Sequence, residues 1–77
     1  MKMNPLGRTG IEVSELCLGT MTFGTQTPPE VAHAQIDHAL AAGVNFLDTA
    51  EMYPVNPVSI ETIGRTEEIL GDWFAAT

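Results

Sequence analysis

Residues 27–48, TPPEVAHAQIDHALAAGVNFLD, constrain the fold more than any other part of the chain. Thr27 reads as a helix N-cap, Pro28 as the first helical residue and Glu30 as the third position of a capping box. The proline sits where a missing N–H costs nothing. Ala32, Ile36, Ala39, Leu40 and Gly43 then recur at helical spacing and share one face. Gly43 stands where a left-handed C-terminal residue is wanted, so the helix is expected to stop near Ala42. Val44, Phe46 and Leu47 follow at once as a short buried strand, and Asp48 closes it.

An earlier apolar run, Leu16 to Leu18 in SELCLGTMTFG, has the length of a buried strand ending at Gly19. A strand, a helix and a second strand in that order predict parallel pairing, with the helix crossing over the sheet. Before them, MNPLGRTGIEV predicts two short strands, with Gly7 and Gly10 bracketing the turn at Arg8 and Thr9. After them, EMYPVNPVSIETIGR contains Pro54 and Pro57 and is expected to be irregular. Thr66 reads as the N-cap of a last helix, with Glu67 and Glu68 in the first turn where the dipole favours anions. Ile69, Leu70, Trp73 and Phe74 form its apolar stripe.

The predicted class is therefore α/β. Two parallel strands leave sheet faces bare that parallel sheets normally cover, so residues 1–77 read as one partial domain of a larger architecture. Bare edges and an uncovered apolar face also invite self-association or pairing with another chain. A core of this size rarely supplies more than about 3–5 kcal/mol without disulfides, a metal or a partner. Cys17 is the only cysteine, so no internal disulfide can form. It reads as a small buried hydrophobe in a reducing, cytoplasmic setting.

The formal charge is −7, and Lys2, Arg8 and Arg65 are the only basic side chains. That balance argues against a nucleic acid or an anionic membrane as partner, since both call for clustered Lys and Arg. No apolar run is long enough to span a bilayer, and no apolar h-region precedes Arg8. His33 and His38 lack the spacing of a helical metal pair, and with Asp37 they read as surface residues. No Cys/His cluster has zinc-ligand spacing, so no metal is expected.

Chemistry in α/β folds gathers beyond the carboxyl ends of strands. Two such segments are present, GTMTFG at residues 19–24 and DTAEMY at residues 48–53. Parallel neighbours would set them side by side. A phenol has a reference pKa near ~10, so Tyr53 donates a proton easily only beside an ammonium. A carboxylate such as Asp48 would orient that ammonium. The only lysine, Lys2, belongs to the opening hairpin, far from these strand ends. The same residues also fit plainer roles, with Asp48 as a turn acceptor and Tyr53 as a half-buried packing residue. The glycines of GTMTFG fit a simple turn, and the segment is neither GxGxxG nor a P-loop.

Three stretches in order, LGRTGIEVSELCLGTMTFG, GVNFLDTAEMYP and GRTEEILGDW, resemble the amino-terminal part of the aldo-keto reductases. The wording of TMTFG and AEMYPV is similar to the bacterial NADP(H)-dependent branch. The resemblance implies an amino-terminal hairpin followed by the first two βα units of a (β/α)8 TIM barrel, incomplete as an isolated chain. It implies reduction of aldehydes and ketones to alcohols by hydride transfer from NADPH, without a metal. Asp48 then matches the family's active-site Asp and Tyr53 its general acid. Gly19, Thr20 and Met21 match the segment beside the nicotinamide ribose, and Phe23 a wall of the substrate pocket. The family's catalytic Lys and His follow later strands, and its grip on the 2′-phosphate lies near the carboxyl end. The resemblance thus implies that this chain by itself is inactive.

Overall fold

A computed structural model describes residues 1–55 and 58–76; Pro57, expected in an irregular segment, lies outside the described residues. Strands β1 (Met3–Pro5) and β2 (Glu12–Ser14) form an antiparallel hairpin with Met3 opposite Ser14 and Pro5 opposite Glu12. Gly7 and Gly10 carry the positive φ angles of its loop, +57° and +79°. Strand β3 (Leu18–Gly19), helix α1 (Pro29–Ala41) and strand β4 (Leu47–Asp48) then make the expected parallel unit. Helix α2 (Arg65–Ala76) ends the described chain and packs beside α1.

The parallel pairing is short: Leu18 lies opposite Leu47, and Gly19 opposite Asp48. Alternation along a strand sends consecutive side chains to opposite faces. Leu18 and Leu47 accordingly pack on the core formed by Phe23, Ala32, Ile36, Ile69, Leu70 and Trp73. Gly19 and Asp48 lie on the other face, and both are exposed. The two helices thus cover one side of the β3–β4 ribbon. The radius of gyration, 13.2 Å, exceeds the roughly 11–12 Å of a compact chain of this length.

Side-chain bonds tie the hairpin to this unit at a definite end. Asn45, just before β4, accepts from the Ser14 N–H at 2.7 Å and donates to the Glu12 carbonyl at 3.0 Å. Ser14 Oγ in turn accepts from the Asn45 N–H at 3.1 Å. The hairpin therefore sits at the amino-terminal end of β4, away from Asp48.

Several local expectations are corrected. Pro28, not Thr27, is the N-cap of α1, and no side chain caps that end. The Thr27 hydroxyl instead meets Thr22 Oγ1 at 3.1 Å, closing the loop before the helix. Thr66 is not an N-cap either, since α2 begins one residue earlier and Thr66 is fully buried. Ser14 belongs to β2, and the bend that follows leaves Leu16 and Cys17 exposed, so the thiol is not a core residue. Leu40 and Phe74 also remain largely exposed. His33 and Asp37 do more than face solvent: His33 Nε2 lies 2.9 Å from the Ile69 carbonyl, and Asp37 accepts from Trp73 Nε1 at 2.9 Å. These two contacts join α1 to α2 along their length.

Gly43 has the expected place, following the cap residue Ala42 with φ +96°. Gly24 is more constrained, with φ +105° and a position where an added Cβ would come 2.8 Å from Arg65 Cγ. The loop after β3 thus runs hard against the start of α2. Gly71, by contrast, lies inside α2, and an added Cβ would meet nothing within 4 Å. Gly24→Ala is expected to cost about 1–3 kcal/mol, whereas Gly71→Ala should add about 0.5–1 kcal/mol. Urea unfolding followed by Trp73 fluorescence checks both, the midpoints moving in opposite directions.

Candidate active site

The two segments beyond the parallel strands meet, as the register of β3 and β4 requires. Thr20 makes the first link. Its N–H and its hydroxyl both donate to the Asp48 carbonyl, at 3.2 Å and 2.7 Å. Thr20 is fully buried, so its hydroxyl would lack a partner if the two strand ends separated. Two residues past Tyr53, the Val55 N–H donates to the Met21 carbonyl at 3.3 Å. The loops carrying Gly19–Met21 and Asp48–Tyr53 are thereby laced together from both ends.

Tyr53 is fixed through its backbone. Its N–H donates to the Ala50 carbonyl at 3.1 Å, closing a turn, and its carbonyl accepts from the N–H groups of Gly64 and Thr66 at 3.1 and 3.3 Å. The peptide bond to the buried Pro54 is cis. The half-buried Tyr53 ring therefore leaves a backbone tied at N–H and at carbonyl. Among the described residues, neither the Tyr53 hydroxyl nor the Asp48 carboxylate has a hydrogen-bonding partner, and no bond joins the two side chains. Both functional groups are left available for something further.

Lys2 belongs to the hairpin end of the unit, where its carbonyl accepts from the Glu15 N–H. Arg65 stands near α2's start and pairs with Glu68 at 3.6 Å, on the surface. Among the described residues no hydrogen bond or ion pair joins a Lys or Arg side chain to Tyr53 or Asp48.

The residues of the first loop fit only part of a dinucleotide. Gly19 has open space where a side chain would stand, and Met21 is exposed. Both suit the approach of a flat ring and its ribose. The Thr20 hydroxyl donates to the Asp48 carbonyl and so holds the two strand ends together. No basic cluster is present to meet phosphates, consistent with the net charge of −7. Phe23, expected along a substrate pocket, is 1% exposed and belongs to the core beneath the loop. Among the described residues no group of three or more His, Cys, Asp or Glu could hold a metal ion.

Two apolar grooves are formed elsewhere. One, of about 410 Å³, lies between Ile36, Leu40, Phe46, Leu47, Trp73 and Phe74; the other, of about 540 Å³, lies along Leu18, Val31, Ala34 and Ala39. Asp48, Tyr53 and Met21 line neither groove. The candidate site is thus an open shelf at the strand ends. Sequence reasoning missed two tertiary contacts, one by Thr66 beside the shelf and one by Asn45 at the opposite, amino-terminal end of β4. The roles of Asn45 and Thr66 rest on contacts 31 and 43 residues away, which no local pattern announces.

Residues 15–77 match the Aldo/keto reductase family. The chain is 51% identical over 75 residues to Protein tas of Escherichia coli (strain K12), covering 97% of this chain and 21% of that protein. It is 47% identical over 75 residues to the oxidoreductase YrpG of Bacillus subtilis (strain 168), covering 97% of this chain and 22% of that one. An 11.2 kDa protein of Pseudescherichia vulneris is 34% identical over 76 residues, which is 99% of this chain and 73% of that protein. The chain thus spans about a fifth of the length of the first two relatives.

Replacing the Thr20 hydroxyl with a methyl group in Thr20→Val leaves the Asp48 carbonyl with one bond fewer. The expected loss is about 1–3 kcal/mol of stability, and Thr20→Ser should recover most of it. Urea midpoints of the two variants provide the measurement.

Proposed function

Because this chain belongs to the aldo/keto reductase family, we propose that it carries part of the active site of an oxidoreductase. The reaction is reduction of an aldehyde or ketone to the alcohol with NADPH. The observation that supports this reading is the lacing of the two loops that contain Asp48 and Tyr53, through Thr20 to the Asp48 carbonyl and Val55 to the Met21 carbonyl. The nicotinamide, when bound, supplies a hydride to the carbonyl carbon. Tyr53 gives the proton from its hydroxyl to the carbonyl oxygen, and Asp48 orients the ammonium that eases this transfer. Gly19 and Met21 would flank the ring and ribose.

Among the described residues the one lysine, Lys2, belongs to the hairpin end, and the sequence has no cluster of cations for phosphates. On this reading the 77 residues do not turn over carbonyl substrates alone. The remaining groups would come from polypeptide equivalent to the other four-fifths of the longer relatives.

A chimera tests the proposal. Residues 1–77 joined to the remainder of the Bacillus subtilis oxidoreductase should oxidise NADPH in the presence of a panel of aldehydes and ketones. Tyr53→Phe in that chimera should lower kcat about 10²–10⁴-fold, the usual range for a lost general acid. Full activity of the Tyr53→Phe chimera would remove Tyr53 from the chemistry. The 77-residue chain alone should give no turnover above its own Tyr53→Phe variant.

A second reading is favoured by the apolar surface. Ile60 is 93% exposed and Phe74 61%, and both grooves are open. Burying such surface in another copy or another chain would make a non-catalytic association module. The small size of the 11.2 kDa relative is compatible with such a role. Light scattering across a concentration series should then show a mass above 8.3 kDa, and a monomer throughout would dismiss this reading.

A further inference from the structure

Thr66 is the most heavily used residue that the catalytic reading leaves without a role. It is fully buried in the first turn of α2. Its hydroxyl donates to the Phe23 carbonyl at 2.5 Å, and its N–H donates to the Tyr53 carbonyl at 3.3 Å. One residue therefore touches both loops of the shelf. The Gly64 N–H adds a second bond to the same Tyr53 carbonyl. Gly24, next to Phe23, has φ +105° and packs so closely on Arg65 that an added Cβ would come 2.8 Å from Arg65 Cγ.

These contacts form a closed circuit. Thr20 ties the first loop to Asp48, Thr66 ties the first loop to α2, and α2 ties back to Tyr53. We propose that Thr66 is a positioning residue for Tyr53, its hydroxyl fixing the start of α2 on the Phe23 carbonyl so that the α2 N–H groups set where Tyr53 stands. The proposal deepens the general-acid reading and rests on it for its catalytic meaning.

The chemistry demands a small hydroxyl at this place. A helix start leaves N–H groups unbonded, and here two of those donors meet one loop carbonyl. The threonine side chain faces the opposite way from the usual cap. It serves a carbonyl in another loop, 43 residues distant in sequence, instead of its own helix. Valine would keep the shape and the backbone N–H but lose the bond to Phe23. Serine would keep the bond and lose only a methyl group.

Tyr53 is the only tyrosine and Trp73 the only tryptophan, so each part of the circuit has its own spectroscopic signal. With 3-fluorotyrosine incorporated, the 77-residue chain should show one dominant ¹⁹F resonance. Thr66→Val is expected to shift or split that resonance, while Trp73 emission, at the far end of α2, stays close to wild type. Thr66→Ser is expected to restore the single resonance. An unchanged Tyr53 resonance in Thr66→Val overturns the proposal.

Hydrogen exchange of the unaltered chain provides a second measurement that needs no variant. The Gly64 and Thr66 amides should exchange at least roughly tenfold more slowly than the exposed turn amide of Met52. Exchange at the same rate as Met52 would equally overturn the proposal. Neither measurement depends on turnover, so a fully active Tyr53→Phe chimera defeats the general-acid reading while leaving these results to decide the role of Thr66.

Discussion

Everything that makes this chain more than two helices and a hairpin depends on the pairing of β3 with β4. That pairing is only two residues long on each strand. Such a short ladder is weak on its own, and parallel pairing brings no tight turn to hold the ends. The buried Thr20 hydroxyl extends it by one further bond at the carboxyl end. At the amino end, Asn45 performs the same service toward β2 with its side-chain amide. The strand ends are thus held by side chains where the backbone ladder runs out.

This arrangement separates the two faces of the ribbon. Leu18 and Leu47 join the core under α1 and α2, which leaves Gly19 and Asp48 on the open side. The helices are joined to each other by polar contacts as well as apolar ones, through His33 to Ile69 and Trp73 to Asp37. Stability and site placement therefore share the same few contacts. Loosening β3 from β4 would both open the core and disperse the shelf that carries Asp48 and Tyr53.

The candidate site is built from backbone groups far more than from side chains. Tyr53 is held by its N–H and its carbonyl, and Asp48 by its carbonyl, while the hydroxyl and the carboxylate stay unpartnered among the described residues. That is a sensible division for proton transfer. Groups engaged in structural bonds would be poor donors and acceptors toward a substrate, whereas backbone anchoring costs the reacting atoms nothing. Membership of the aldo/keto reductase family agrees with such a layout, since chemistry in α/β barrels is carried at strand ends.

Helical periodicity, the glycine at the end of α1 and the apolar run before Asp48 were enough to predict a strand–helix–strand unit. Each is a local consequence of residue size and backbone freedom. The adjacency of the two loops followed from parallel pairing, and so did the grouping of Gly19, Thr20, Met21, Asp48 and Tyr53. Local patterns misassigned Thr27 and Thr66 as caps and buried Cys17 and Phe74 instead of exposing them. A cap motif states which bonds a side chain is able to make, while packing decides which of them it does make. Thr66 had a partner 43 residues away that satisfied it better than its own helix. Phe23 moved from pocket wall to core because the turn at Gly24 folds its ring under the loop against α2. The sequence alone determined which elements form. Only the tertiary structure decided which polar group bonds to which, because burial makes every unpaired donor costly and rewards the distant partner that satisfies it.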